Sequence, residues 1–149
     1  MLFGFSVLKA QNENEIKSTI QNMFETVFST TFEKSIEKYF TDDIIIFEDG
    51  EIYNMDALRT MTKELGISFE KEISNGHSLV RKNDFEFLKV IDEGDSAFIY
   101  YINSADFIYD GTSIAKISWL ESAKLKKINN EWKITFLHST KINNKQKNQ

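Results

Sequence analysis

The chain has 149 residues, the size of one domain, and a chain of that size can bury roughly 70% of its unfolded surface without covalent staples. Hydrophobic residues make up 41% and charged residues 28%, which is ordinary globular usage, and 13 phenylalanines predict a ring-rich core. Cysteine is absent, which excludes disulfides, thiolate metal sites and cysteine nucleophiles without deciding the compartment. A net charge of −5 with no basic stripe argues against nucleic acid as a partner.

The opening "MLFGFSVLKA" is apolar apart from Lys9 and gives way abruptly to "QNENE". Two readings stand. It is the end of a secretory signal with Ala10 as the cleavage residue, which would make the protein secreted or periplasmic, or it is a short strand or arm (residues 1–12) packed on a cytoplasmic domain. No other segment approaches the ~20 apolar residues of a membrane helix. The domain itself spans residues 13–142, and a polar tail, 143–149, is expected to fray.

Ile16, Ile20, Met23, Phe24, Val27 and Phe28 recur at helical spacing and predict an amphipathic helix over 13–28, with Asn12 or Asn14 as cap and Glu13 and Glu15 at its positive end. Thr30 and Glu33 then form a capping box for a short helix with the apolar stripe Phe32, Ile36, Tyr39 and Phe40. Asp42 and Asp43 are read as the end of that helical region. "TDDIIIFEDGEIY" reads as a strand, an Asp49-Gly50 turn and a short strand. A third helix is expected from Met55 to Leu65, capped by Asn54, stopped by Gly66, and facing inward with Leu58, Met61 and Leu65. Ile67, Phe69 and Ile73 alternate before Asn75-Gly76, which reads as a hairpin turn, with His77 solvated just after it. Long strands follow at 84–91, 96–109, 113–128 and 131–142, separated by Asp92–Asp95, Asp110-Gly111 and Asn129-Asn130. Helices first and a meander afterwards predict an α+β fold: a curved antiparallel sheet forming a cone, packed on three helices from the N-terminal half.

Strand side chains alternate faces, so each tight turn sets a register. A two-residue Asn129-Asn130 turn opposes Leu125 to Ile134, Ala123 to Phe136, Glu121 to His138 and Trp119 to Thr140. The same logic through Asp110-Gly111 and Asp92–Asp95 places Tyr100 opposite Glu121 and Phe87, and Ile102 opposite Trp119 and Phe85, with Phe98 beside Ala123. The expected result is an apolar wall carrying one hydroxyl, one carboxylate and one imidazole in line, the pattern of a small-molecule pocket. The other face, with Leu88, Val90, Ile99, Tyr101, Leu120 and Leu137, is too apolar to be wholly wet, and a homodimer contact is its simplest cover.

Over residues 13–142 the chain resembles the nuclear transport factor 2-like superfamily, closest to the SnoaL-like and DUF4440 families. The resemblance is carried by "IQNMF", "YFTDDIIIFEDGEIYNMDALRTM", "EGDSAFIYY" and "NNEWKITFLHST". It implies a ketosteroid-isomerase-like cone with a pocket between helices and sheet, and a dimer, but no single function, since members include isomerases, cyclases, dehydratases and non-enzymatic modules. It also places a catalytic base at Glu48. Phe24 stands where the isomerase-like members have a tyrosine donor, and Ala123 falls near their third group, so steroid isomerisation is not implied.

The candidate catalytic groups are therefore His138 as base, Glu121 as its orienting partner and Glu48 as a second acid/base at the mouth. The pocket wall is drawn from Phe24, Tyr39, Phe85, Phe87, Phe98, Tyr100, Ile102, Trp119, Phe136 and Thr140. Against this stands a structural pair in which Glu121 and His138 merely satisfy each other. No phosphate-binding glycine loop, calcium loop or zinc pattern occurs, so the reading involves no cofactor and no metal. Two functions follow: a binder or cofactor-free acid/base enzyme for a hydrophobic compound, or a non-catalytic dimeric module whose cone is filled by its own rings. An open cavity of about 300 Å³ or more reaching His138 marks the first.

Overall fold

A computed structural model describes residues 3–27, 29 and 32–143. Phe28 of the first apolar face, Thr30 of the capping box and the tail beyond 143 lie outside the described residues. The first helix, α1, runs Phe3–Glu25, so the helix expected over 13–28 begins earlier, within the apolar N-terminal run, which is helical where described rather than a strand. The second, α2, is Phe32–Tyr39 and buries Phe32, Ile36 and Tyr39 as the spacing predicts. Strand β1, Phe40–Glu48, takes up the chain at once. Asp42 and Asp43 sit exposed within it rather than ending a helix. The Asp49-Gly50 turn, with φ of 49° and 94°, leads to the short β2, Glu51–Tyr53.

Helix α3 spans Met55–Ser74, nearly twice its expected length. Asn54 caps it as predicted, its Oδ1 accepting the Ala57 amide at 3.0 Å. Gly66 does not stop it, and the period-two pattern of Ile67, Phe69 and Ile73 is helical instead, with Ile67 and Ile73 facing solvent. Asn75-Gly76 is consequently a helix terminus and not a hairpin. Gly76 adopts φ +84°, its amide donates to Ile73 O at 2.9 Å, and the His77 amide donates to Glu72 O at 3.0 Å. Those two bonds close a Schellman motif, which needs a left-handed residue just past the cap and explains the glycine.

Four long strands complete the chain: β3, Leu79–Asp92; β4, Ser96–Tyr109; β5, Thr112–Ile128; and β6, Glu131–Lys141. They form a six-stranded sheet in the order β2-β1-β6-β5-β4-β3. The β1–β6 pair is parallel and the others antiparallel, so the sheet is mixed rather than wholly antiparallel. The helices pack on one face. There Ile16, Ile20 and Phe24 of α1, Ile36 of α2 and Leu58 of α3 meet Ile44, Ile99, Tyr101, Leu125 and Ile134 in one core. The α+β fold class expected from the sequence is the one observed.

Both hairpin turns hold, with φ of 47° and 79° at Asp110-Gly111 and 51° and 62° at Asn129-Asn130, but the register they set does not persist. Strands β5 and β6 pair as expected from Ile128–Glu131 to Leu125–Ile134. An extra residue at Thr135 then shifts every later pair. A bulge of this kind opposes two residues to one and turns all following side chains to the other face. Similar shifts occur between Phe107 and Ile108 of β4 and between Phe87 and Lys89 of β3. The inward row therefore reads Phe87, Tyr101, Glu121, Ser139, and its neighbour Phe85, Asn103, Trp119, Lys141.

Candidate functional site

The bulge at Thr135 overturns the central expectation of the sequence reading. His138 pairs with Ser122 on the outer face, where it is exposed. Its Nε2 lies 3.2 Å from Thr140 Oγ1, and its ring lies 6.3 Å from that of Phe47. Glu121 is 4% exposed on the opposite face, so the predicted Glu121–His138 pair is not formed. Tyr100, Ile102, Phe98, Phe136 and Thr140, expected in the pocket wall, go to the outer face with His138, because the three register shifts turn them over together. Phe85, Phe87 and Trp119 do point inward, but as packing beside the cavity and not as its lining. Tyr39 is buried near Trp132 in a separate hollow.

A cavity of about 200 Å³ lies between the helices and the inner sheet face. Its apolar lining comes from Met23, Phe24 and Val27 of the α1 region, from Phe32, from Leu58, Met61 and Leu65 of α3, and from Phe40, Ile46 and Leu137 of the sheet. At one end stand four polar side chains, each from a different strand: Glu48 on β1, Arg81 on β3, Glu121 on β5 and Ser139 on β6. It is smaller than the ~300 Å³ expected of the pocket reading and does not reach His138, so the mark set for a pocket around His138 is not met and what this cavity can hold is compact. Larger hollows occur, one of about 510 Å³ around Asp43, Glu93 and Lys124, but they are surface grooves without a buried carboxyl or guanidinium group.

Glu121 Oε1 accepts the Ser139 hydroxyl at 2.9 Å, while Oε2 is buried with no protein partner. Burial lifts the carboxyl to about 7 from its ordinary 4.5. The Ser139 and Tyr101 hydroxyls and the Arg81 charge oppose that rise, and the Glu48 charge adds to it. The Tyr101 hydroxyl thus acts on Glu121, yet the two do not meet the geometry of a formed hydrogen bond. Tyr101 Oη and both amide atoms of the fully buried Asn103 also lack protein partners. Burial and the neighbouring Glu121 push the Tyr101 phenol well above 10, which keeps it a neutral donor. Glu48 is raised as well, first by burial and then by Asp49, with Arg81 and Lys141 opposing.

Arg81 is held from several sides. Its Nε donates to Asn83 Oδ1 at 2.7 Å, and its guanidinium lies 5.0, 5.3 and 5.5 Å from the ring centroids of Phe24, Trp119 and Phe107. Among the described residues no carboxylate comes within 4.0 Å of it. Burial lowers its pKa, with Glu121, Glu48, Glu25 and Tyr101 opposing. Arg81 escaped the sequence reading because β3 was expected to begin at residue 84, after a hairpin that is in fact a helix cap. The alternation Arg81, Asn83, Phe85, Phe87 carries the signal once that cap is recognised. Tyr101, Asn103 and Ser139 were missed for the register reason. Among the described residues no cluster of three or more His, Asp or Glu side chains is placed to hold a metal ion.

No family model matches the sequence, and no curated protein matches it. Solved structures do match in shape. An NTF2-like protein from Cytophaga hutchinsonii superposes with a TM-score of 0.64 at 12% identity, covering 87% of this chain and 98% of that one. An NTF-2 like protein of unknown function from Silicibacter pomeroyi gives 0.62 at 11% identity, covering 90% and 98%. A protein of unknown function with a cystatin-like fold from Nostoc punctiforme gives 0.60 at 14%, covering 91% and 94%. The chain therefore has the NTF2-like, cystatin-like α+β fold, with a polar-ended apolar cavity on the concave face of its sheet.

Proposed function

We propose that this protein binds a small, largely apolar compound in the cavity and is equipped for cofactor-free acid/base chemistry on it, the reading that the resemblance to SnoaL-like proteins also favours. The observation that carries this reading is Glu121, a carboxyl 4% exposed with one oxygen unpartnered at the polar end of an apolar cavity. A group of this kind near neutrality donates or accepts a proton readily. Glu48, closer to the mouth and also on the cavity, is the second proton-transfer group, and Arg81 is the fixed positive charge that stabilises a developing anion. Two carboxyl groups in unequal surroundings divide the acid and base roles between them. The test is an NMR titration of the isotope-labelled protein with a panel of small ketones, lactones and carboxylic acids. Shifts confined to Met23, Leu58, Met61 and Leu137 support the reading. No shift at millimolar ligand refutes it.

The outer sheet face supports a second element, self-association. Ile45, Phe47, Leu88, Tyr100 and Leu120 are each more than a third exposed there, with Phe136 stacked edge-on against Phe47 at 5.3 Å. Stable monomers rarely leave such a face uncovered, and a second copy of the chain meets the same patch by two-fold symmetry. Light scattering of the purified protein tests this, a dimer supporting it and a monomer at micromolar concentration refuting it.

A further inference from the structure

Resting on the pocket reading above, we propose that the compound is a compact monocarboxylic acid, its carboxylate held by Arg81 and the Glu121 carboxyl and its apolar body by Phe24, Leu58 and Leu137. Arg81 lines the cavity and is half-buried, and its only hydrogen bond among the described residues runs from Nε to Asn83. Three aromatic rings surround the guanidinium, but no carboxylate touches it. A partly desolvated cation gains from a contacting anion, and the free fork of terminal amino groups matches a carboxylate bidentately. The cavity thus offers a positively charged socket whose terminal amino groups are not taken up by a carboxylate among the described residues.

Glu121 supplies the second half. Oε1 is occupied by Ser139, whereas Oε2 is buried without a formed hydrogen bond in a residue that lines the cavity. When the carboxyl carries its proton, that oxygen donates to an incoming anion. When it is ionised, it repels one. The groups facing it are Ser139 from β6, Tyr101 from β4, Arg81 from β3 and Glu48 from β1, while α3 presents only apolar side chains to the cavity. Glu25 of α1 acts on Arg81 from further off, and His138 is on the other side of the sheet. With Glu48 ionised and Arg81 cationic, the cluster is neutral when Glu121 is protonated and can then accept one negative charge. Dianions are disfavoured by Glu48. The proton on Glu121 is taken from solvent as the ligand anion binds, so charge and atoms balance without a further reactant.

Isothermal titration of the wild-type protein with hexanoate and benzoate, against hexanamide and benzamide, at pH 6 and pH 8 tests this. The acids are expected to bind more tightly than the amides and to weaken about tenfold from pH 6 to pH 8, as a carboxyl titrating at about 7 passes from mostly protonated to mostly ionised. The amides, needing no proton, are expected to show a flat profile. Arg81→Gln, checked for folding by circular dichroism, should abolish the preference for acid over amide. Amides binding as well as acids, or acids binding equally at both pH values, would overturn the assignment while leaving the pocket reading intact. No binding by either class at millimolar concentration removes both. The wild-type pH comparison decides the matter even where the variant fails to fold.

Discussion

Replacing Glu121 with glutamine should make the protein more stable at alkaline pH, and the magnitude follows from its surroundings. In the unfolded chain this carboxyl titrates near 4.5, and in the fold near about 7. A raised carboxyl means that the native state binds the proton more tightly. Its contribution is therefore fully favourable below 4.5 and is lost as pH rises from 4.5 through about 7. At 1.36 kcal/mol for each pH unit between those values, the loss approaches about 3 kcal/mol by pH 8. Glutamine has nearly the shape of the protonated acid and cannot ionise, so Glu121→Gln removes this slope. Urea unfolding from pH 5 to pH 8.5 is the assay. The two proteins should lie within about 1 kcal/mol of each other at pH 5, and the variant should be ahead by about 3 kcal/mol at pH 8, or roughly 6–12 °C in Tm for a chain of this length. Glu48 is also raised and adds a slope of the same sign in both proteins, so apart from its coupling to Glu121 it drops out of the difference. Parallel profiles for wild type and variant would mean that Glu121 is ionised in the native state at neutral pH, and both the proton-donor role and the ligand assignment would fall with it.

Other outcomes can be stated briefly. Tyr101→Phe removes a buried hydroxyl that has no formed partner, so stability should change by less than about 1 kcal/mol. Its loss also takes away a group that holds Glu121 down, and the midpoint of the stability slope should move to higher pH. Asn54→Ala deletes the α3 cap and should cost about 1 kcal/mol in urea unfolding without altering the pH profile. Phe47→Asp places a charge within the exposed apolar outer face and should convert a dimer to a monomer in light scattering while leaving the circular dichroism unchanged.

Much of the architecture is legible in short local signals. Asp49-Gly50, Asp110-Gly111 and Asn129-Asn130 name their turns because few residues accept a positive φ, and strand ends near each are correct to a residue or two. Asn54 names a helix start for an equally local reason. Asn75-Gly76 misleads because glycine in the left-handed region serves a Schellman cap as well as a hairpin, and the eight residues before it carry apolar positions compatible with either period. That one ambiguity shortened β3 and hid Arg81. Of the residues that line the cavity, Glu121 is named by the strand register and Glu48 by the resemblance, while Arg81 and Ser139 are not named from the sequence.

Composition, caps and turn residues act within a few positions along the chain, and so the order of elements, the α+β class and the inward stripes of the helices could be inferred without coordinates. Which strand residues face the cavity is another matter. A turn sets the pairing beside itself, but one additional residue, Thr135, exchanges the faces of everything beyond it. Whether the chain accepts that bulge depends on how the twisted sheet closes over three helices and on how much apolar surface each phase buries, an energy summed over residues distant in sequence. That balance, and no nearby residue pattern, seats Ser139 against Glu121 and leaves His138 in water.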